Sequence, residues 1–165
     1  MATDSRVVVV ALAMFSGIGG LAHAHGDEHA PPAAKRAALM EETSFGQTGD
    51  RKKVTRTIKV EMGDTFRYTP SRIVVRKGET VRIVARNTGK LLHEIVIGSA
   101  EELNEHAELM RKFPDMEHEA AYMAHVPSGK SEEIVWQFTK PGNFKFGCLV
   151  AGHFEAGMVG EILVR

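Results

Sequence analysis

The stretch Phe144 to Val164, FKFGCLVAGHFEAGMVGEILV, decides the fold and carries the chemistry. Its ends, Phe144 to Cys148 and Val159 to Val164, read as short strands, because apolar residues recur at alternate positions and a strand turns successive side chains to opposite faces. Between them lies a loop with Cys148, His153 and Met158 at five-residue intervals, and with Gly152 and Gly157 each beside one of them. Glycine admits the tight turns that bring such side chains to one point.

The same alternation runs upstream: Val54, Ile58 and Val60, then Ile73 and Val75, Val81 and Ile83, Ile95 and Ile97, with a further strand from Glu133 to Phe138. Turn signals separate these runs at Pro70-Ser71, Lys77-Gly78, Asn87-Thr88-Gly89, Pro127-Ser128-Gly129 and Pro141-Gly142-Asn143. Seven to eight short strands with turns every ~8–12 residues predict an all-β Greek-key sandwich. One segment, from about Ser99 to Ser128, breaks the pattern. Ser99-Ala100-Glu101-Glu102 is a capping box, Leu103, Ala107 and Met110 then share one helical face, and Pro114 ends the run. A short helical insertion is expected there.

The 165 residues are 43% hydrophobic and 25% charged, enough for one globular domain. The 21 basic residues are balanced by 21 acidic ones, so no basic field draws the chain onto nucleic acid. At the N-terminus, Arg6, an apolar run from Val7 to Leu21 and Ala22-His23-Ala24 read as an export signal cleaved after Ala24. The run, about 15 residues, is shorter than the roughly 20 that span a bilayer, so no membrane anchor is expected after cleavage. The expected organisation is a signal peptide over 1–24, a flexible histidine-containing arm over 25–53 and a domain over 54–165, in the periplasm. His25, Gly26, Asp27, Glu28 and His29 could collect a metal ion, although a solvated tail is the plainer reading.

Where thiols tend to oxidise, an unpaired cysteine is a liability unless it is buried or metal-bound, and Cys148 is the chain's only cysteine. Two histidines, a cysteine and a weak axial methionine make a type 1, blue-copper-like site. His93, at the start of a predicted strand, supplies the second imidazole beside Cys148, His153 and Met158. Thiolate and thioether stabilise Cu(I), and imidazole suits both oxidation states.

These residues resemble the cupredoxins, and more narrowly the small exported copper-tolerance cupredoxins of the CopI type. The resemblance spans about Phe66 to Arg165 and includes Tyr68-Thr69-Pro70-Ser71, Lys77 to Val81, Asn87 to Glu94 and the Cys-x4-His-x4-Met loop. It implies His93, Cys148 and His153 as equatorial ligands, Met158 as axial ligand, one copper cycling between Cu(I) and Cu(II), and a role in copper tolerance or homeostasis. A one-electron carrier between periplasmic redox partners is the alternative. The loop differs from plastocyanin-like proteins, which space Cys and His more tightly, and from azurin-like ones, which space His and Met more tightly. Where plastocyanin-like proteins place an Asn that ties two loops together, this chain has Glu94.

No enzymatic activity is expected. A Cys148/His153 nucleophilic pair lacks an evident orienting third group and leaves Met158 without a role. An oxygen-reducing copper cluster would need His-x-His pairs, and the one pair, His23 with His25, is split by the expected cleavage. Two Met-x-His pairs, Met116/His118 and Met123/His125, with Met110 and His106 nearby, suggest an auxiliary Cu(I) site, against a plainer reading of core methionines and solvated histidines. Leu149, Val150, Phe154 and Ala156 are expected to ring His153 as an apolar patch for a transient redox or copper-transfer partner, or else to pack around the loop.

Overall fold

Two sheets face each other across one apolar core, and the computed structural model describes them for residues 40–116 and 118–165. In chain order the strands are β1 (Glu42–Thr43), β2 (Gly46–Thr48), β3 (Arg56–Gly63), β4 (Arg67–Thr69), β5 (Arg72–Val75), β6 (Thr80–Asn87) and β7 (His93–Gly98). The helix α1 (Ala100–Lys112) follows, then β8 (Met123–Val126), β9 (Ser131–Gln137), β10 (Gly142–Gly147) and β11 (Val159–Val164). One sheet runs β1-β2-β9-β6-β3-β4 and the other β5-β11-β10-β7-β8. The pairs β3/β6 and β5/β11 are parallel. This is the expected all-β sandwich with a short helical insertion. Eight strands have four or more residues, and β1, β2 and β4 add two or three residues each.

Period-two alternation builds the core. Val60 and Met62 of β3, Val81 and Ile83 of β6, and Trp136 of β9 meet Ile95 and Ile97 of β7, Phe146 of β10 and Ile162 of β11, all almost fully buried. At about 1.5–3 kcal/mol per fully buried large apolar side chain, this layer is the main stabilising term.

β7 is buried at every position, although it alternates like the others. The reason is α1, whose Leu103, Ala107 and Met110 cover the outer face and enclose Val96, Met123 and Leu149 in a second small core. The capping box forms as expected: Ser99 Oγ accepts from the Glu102 N–H at 3.1 Å and Glu102 Oε2 accepts from the Ser99 N–H at 2.7 Å. The rest of the insertion departs from expectation, since Met123–Val126 joins the sheet as β8 beside β7. Four residues that include a histidine are too few to display a period.

Within the segment expected as a flexible arm over 25–53, the described residues from 42 onward are ordered against the sandwich. Residues 42–48 form β1 and β2, β2 pairs with β9, and Asp50 caps a 3-10 turn at Arg51–Lys53. Phe45 is 2% exposed, with its ring 5.3 Å from Trp136 and 5.6 Å from Tyr122. A single aromatic between two-residue and three-residue strands leaves no alternation to read, yet it anchors the segment. Residues 1–39, with the expected signal peptide and the His25–His29 segment, lie outside the described residues.

Candidate metal centre

Three parts of the chain converge at one end of the sandwich. His93 opens β7 after a turn held by Asn87, whose buried Nδ2 donates to Leu91 O (2.7 Å) and Val126 O (2.8 Å) while its Oδ1 accepts from the Gly89 N–H (2.8 Å). Cys148 and Met158 stand at the two roots of the β10–β11 loop, where the Cys148 N–H donates to Met158 O at 3.1 Å and the Met158 N–H to His153 O at 3.0 Å. Gly152 and Gly157 have φ of +85° and +89°, the left-handed backbone that favours glycine. Arg67 fastens the loop from outside, its Nη1 donating to Ala156 O at 2.9 Å.

The ligand atoms of His93, Cys148 and His153 lie within 4.8 Å of one another, and Cys148 Sγ is 3.3 Å from His153 Nδ1. His93 Nε2 lies 3.1 Å from Asp64 Oδ1. A carboxylate acceptor there selects the tautomer with the proton on Nε2, which leaves the Nδ1 lone pair free. That Nδ1 is buried and has no hydrogen-bond partner. A buried polar atom without a partner is costly, so its lone pair calls for a cation. The donor set thus fits a copper ion. Met158 is fully buried in the same core as Cys148.

The electrostatics of the site argue against nucleophilic chemistry by Cys148 and keep His153 in its ligating form. Burial, with the nearby Glu94 charge, pushes the Cys148 thiol up to about 12, whereas a reactive cysteine needs a lowered value. Burial and then the neighbouring His93 hold His153 below its ordinary value, and a neutral imidazole is the ligating form. The amides of Lys90, then Leu91, hold Asp64 below the usual carboxylate range.

The tie that plastocyanin-like proteins make with Asn is remade by Glu94. Its backbone N–H donates to Cys148 Sγ at 3.3 Å, and its carboxylate Oε2 accepts from the Leu149 N–H at 3.2 Å, joining the His93 and Cys148 segments. Asp64, Phe66 and Arg67 were not singled out from the sequence. Phe66 is, among the described residues, the non-glycine in the left-handed region (φ 57°), and its ring centre lies 4.7 Å from that of His153. Asp64 gave no stronger signal than an acidic residue in a turn. The apolar patch expected around His153 is only partly at the surface: Leu149 is 1% exposed and belongs to the core beneath α1. Val150 and Phe154 are half-buried and Ala156 is exposed.

The insertion brings together its histidines but not its methionines. Glu94 Oε1 lies 3.1 Å from His118 Nε2 and 3.3 Å from His125 Nε2, and the His106 ring centre is 4.6 Å from that of His118. Met110 and Met123 fill the core under α1, and Met116 is 39% exposed. The thioether part of the expected auxiliary Cu(I) site is therefore corrected: packing the underside of α1 uses the two buried thioethers.

The fold and this site define a class, and the match of residues 54–165 agrees with them: the chain belongs to the plastocyanin/azurin family of copper binding proteins. Within that family it is 50% identical over 143 residues to the copper-resistant cuproprotein CopI of Rubrivivax gelatinosus, covering 87% of this chain and 84% of that protein. It is 33% identical to the protein of the same name from Pseudomonas aeruginosa, covering 81% of this chain and 89% of the relative. The fold is similar to solved auracyanins: the reduced protein from Roseiflexus castenholzii (22% identity, TM-score 0.59, 68% of this chain and 98% of that one) and auracyanin B (18%, 0.61, 73% and 96%).

Proposed function

We propose that the protein is an exported, periplasmic cupredoxin that holds one type 1 copper and serves copper tolerance. His93 Nδ1, His153 Nδ1 and Cys148 Sγ are the equatorial ligands and Met158 is the axial one. The observation that carries this reading is the buried, unpartnered His93 Nδ1, held beside Sγ and His153 by the Asp64 contact at Nε2. Thiolate and imidazole together suit both copper oxidation states, and a buried, tightly hydrogen-bonded loop keeps their geometry from changing much between them. Tolerance and export are supported by the names of the 50% and 33% identical relatives and by the sequence before residue 25.

The test is Cu(II) titration of the protein recovered from the periplasmic fraction, where its first residue should be His25, beside Cys148→Ser. An intense thiolate-to-copper absorption band, saturating at one equivalent and absent from the variant, is expected. A colourless product overturns the type 1 reading, and a product that retains residues 1–24 overturns the cleavage.

The second reading is a one-electron carrier. It is favoured by His153, which reaches the surface at 9% exposure while His93 is at 0%, and by exposed Leu91 and Leu92 just before His93. Met158→Gln separates the two, because the axial ligand tunes the potential. Loss of tolerance with copper still bound favours the carrier, and unchanged tolerance favours binding.

A further inference from the structure

We propose that Glu94, His118 and His125, with His106 at their flank, form a second, thiolate-free site for a borderline divalent metal ion such as Cu(II). The site is independent of the type 1 reading, because it shares no ligand with it.

Strand geometry creates it. His93 and Glu94 are neighbours on β7, so their side chains leave opposite faces of the sheet. His93 points into the sandwich with Ile95 and Ile97, and Glu94 leaves on the face that Val96 shares with α1. His125 of β8 stands directly opposite Glu94 in the antiparallel register, on that same face. His118, from the segment between α1 and β8, and His106, on α1, close over them.

Glu94 is fully buried, and a buried carboxylate needs compensation. Its Oε2 takes the Leu149 N–H, and its Oε1 faces two imidazole nitrogens. The His118 ring is the more telling, because Nδ1 lies 3.1 Å from Met116 O and Nε2 lies 3.1 Å from Glu94 Oε1. Both neighbours are acceptors, and a neutral imidazole has one N–H to give. With the proton on Nδ1, donated to the carbonyl, the Nε2 lone pair and the carboxylate oxygen converge on the same point. That is how metal-bound histidines are oriented, one nitrogen tied to a backbone carbonyl and the other on the ion. The candidate ligand atoms of Glu94, His118 and His125 lie within 4.8 Å of one another. Imidazole and carboxylate suit Cu(II) or Zn(II), whereas Cu(I) would favour the thioethers that instead fill the core.

The test is Cu(II) titration of the full chain, followed by electron paramagnetic resonance and equilibrium dialysis, beside His118→Ala/His125→Ala. The parent should bind one more equivalent than the variant, with a signal of nitrogen and oxygen ligands and no new intense visible band. Any copper held by His25 or His29 is common to both chains and cancels. Both should keep the thiolate-to-copper band, which reports that the variant is folded. In a Cys148→Ser background the extra equivalent should persist while the band disappears, so the two sites can fail separately. Equal stoichiometry and identical resonance in parent and variant would overturn the proposal, with the imidazolium–carboxylate contact then accounting for His118.

Discussion

The two faces of β7 carry two clusters of very different construction, one starting at His93 and the other at Glu94. The first is deep, combines thiolate and imidazole, and takes Cys148, His153 and the proposed ligand Met158 from the single eleven-residue loop between β10 and β11. The second has a buried carboxylate at its floor and half-buried histidines from three separate segments at its mouth. One strand can serve both because its period is two, so a one-residue step along the chain is a change of face. The donor sets differ in softness: the first cluster joins a thiolate to two imidazoles, and the second joins a carboxylate to imidazoles. Glu94 belongs to both neighbourhoods, through its backbone N–H to Cys148 Sγ and its side chain to the histidines.

The sharpest way to break this contrast is Glu94→Gln, which keeps the shape and an acceptor for the Leu149 N–H but removes the charge. Affinity at the histidine cluster should fall by more than the about 100-fold typical of losing an outer hydrogen-bond partner, because a ligand is lost. The thiolate-to-copper band should survive, since the Glu94 backbone N–H to Sγ is untouched. Competition dialysis read beside the visible spectrum checks both halves, and a vanished band with intact second-site binding would reverse the assignment of Glu94.

Asp64→Ala should make the opposite separation with a smaller effect. Asp64 holds the His93 ring by Nε2 and pins the amides of Lys90 and Leu91. Without it, copper affinity at the first cluster should drop by about 10–100-fold, the usual cost of losing the partner that orients a ligating imidazole. The histidine cluster should be unchanged. Equal weakening of both sites would mean that the turn, rather than the ring, is what Asp64 supports.

The two clusters were also unequally legible. Cys148, His153 and Met158 lie close together in the chain between two alternating runs, so spacing alone brought them into view. The helix was readable from Ser99, Glu102 and the Leu103, Ala107, Met110 stripe, because capping and helical period are local properties. The second cluster needed the register of β8 against β7, which joins Glu94 to His125 across 31 positions of sequence and depends on a four-residue strand with no period of its own. The Met-x-His spacing pointed to the segment whose histidines gather at Glu94. On β8 it puts Met123 and His125 on one face, but Met123 lies opposite Val96 under α1, and burial there claims the thioether. Phe45 was invisible for a related reason: its value lies in the ring contacts with Trp136 and Tyr122, and no local pattern announces a long-range contact.

The smallest expected effect lies in the loop itself, at Gly157. Its φ of +89° is unfavourable for any residue with a Cβ, and a Cβ built there would come within 3.2 Å of Arg67 Nη1. Alanine should therefore cost about 1–2 kcal/mol for the left-handed backbone alone, and the guanidinium should shift from Ala156 O. Since Gly157 precedes Met158, the proposed axial ligand, the strain should fall on that side of the first cluster and leave the second untouched. Thermal denaturation should report a modest loss of stability, with an altered thiolate-to-copper band and unchanged binding at the histidine cluster. An unaltered band would place the loop's rigidity in its hydrogen bonds, Cys148 N–H to Met158 O and Met158 N–H to His153 O, rather than in the glycine turn.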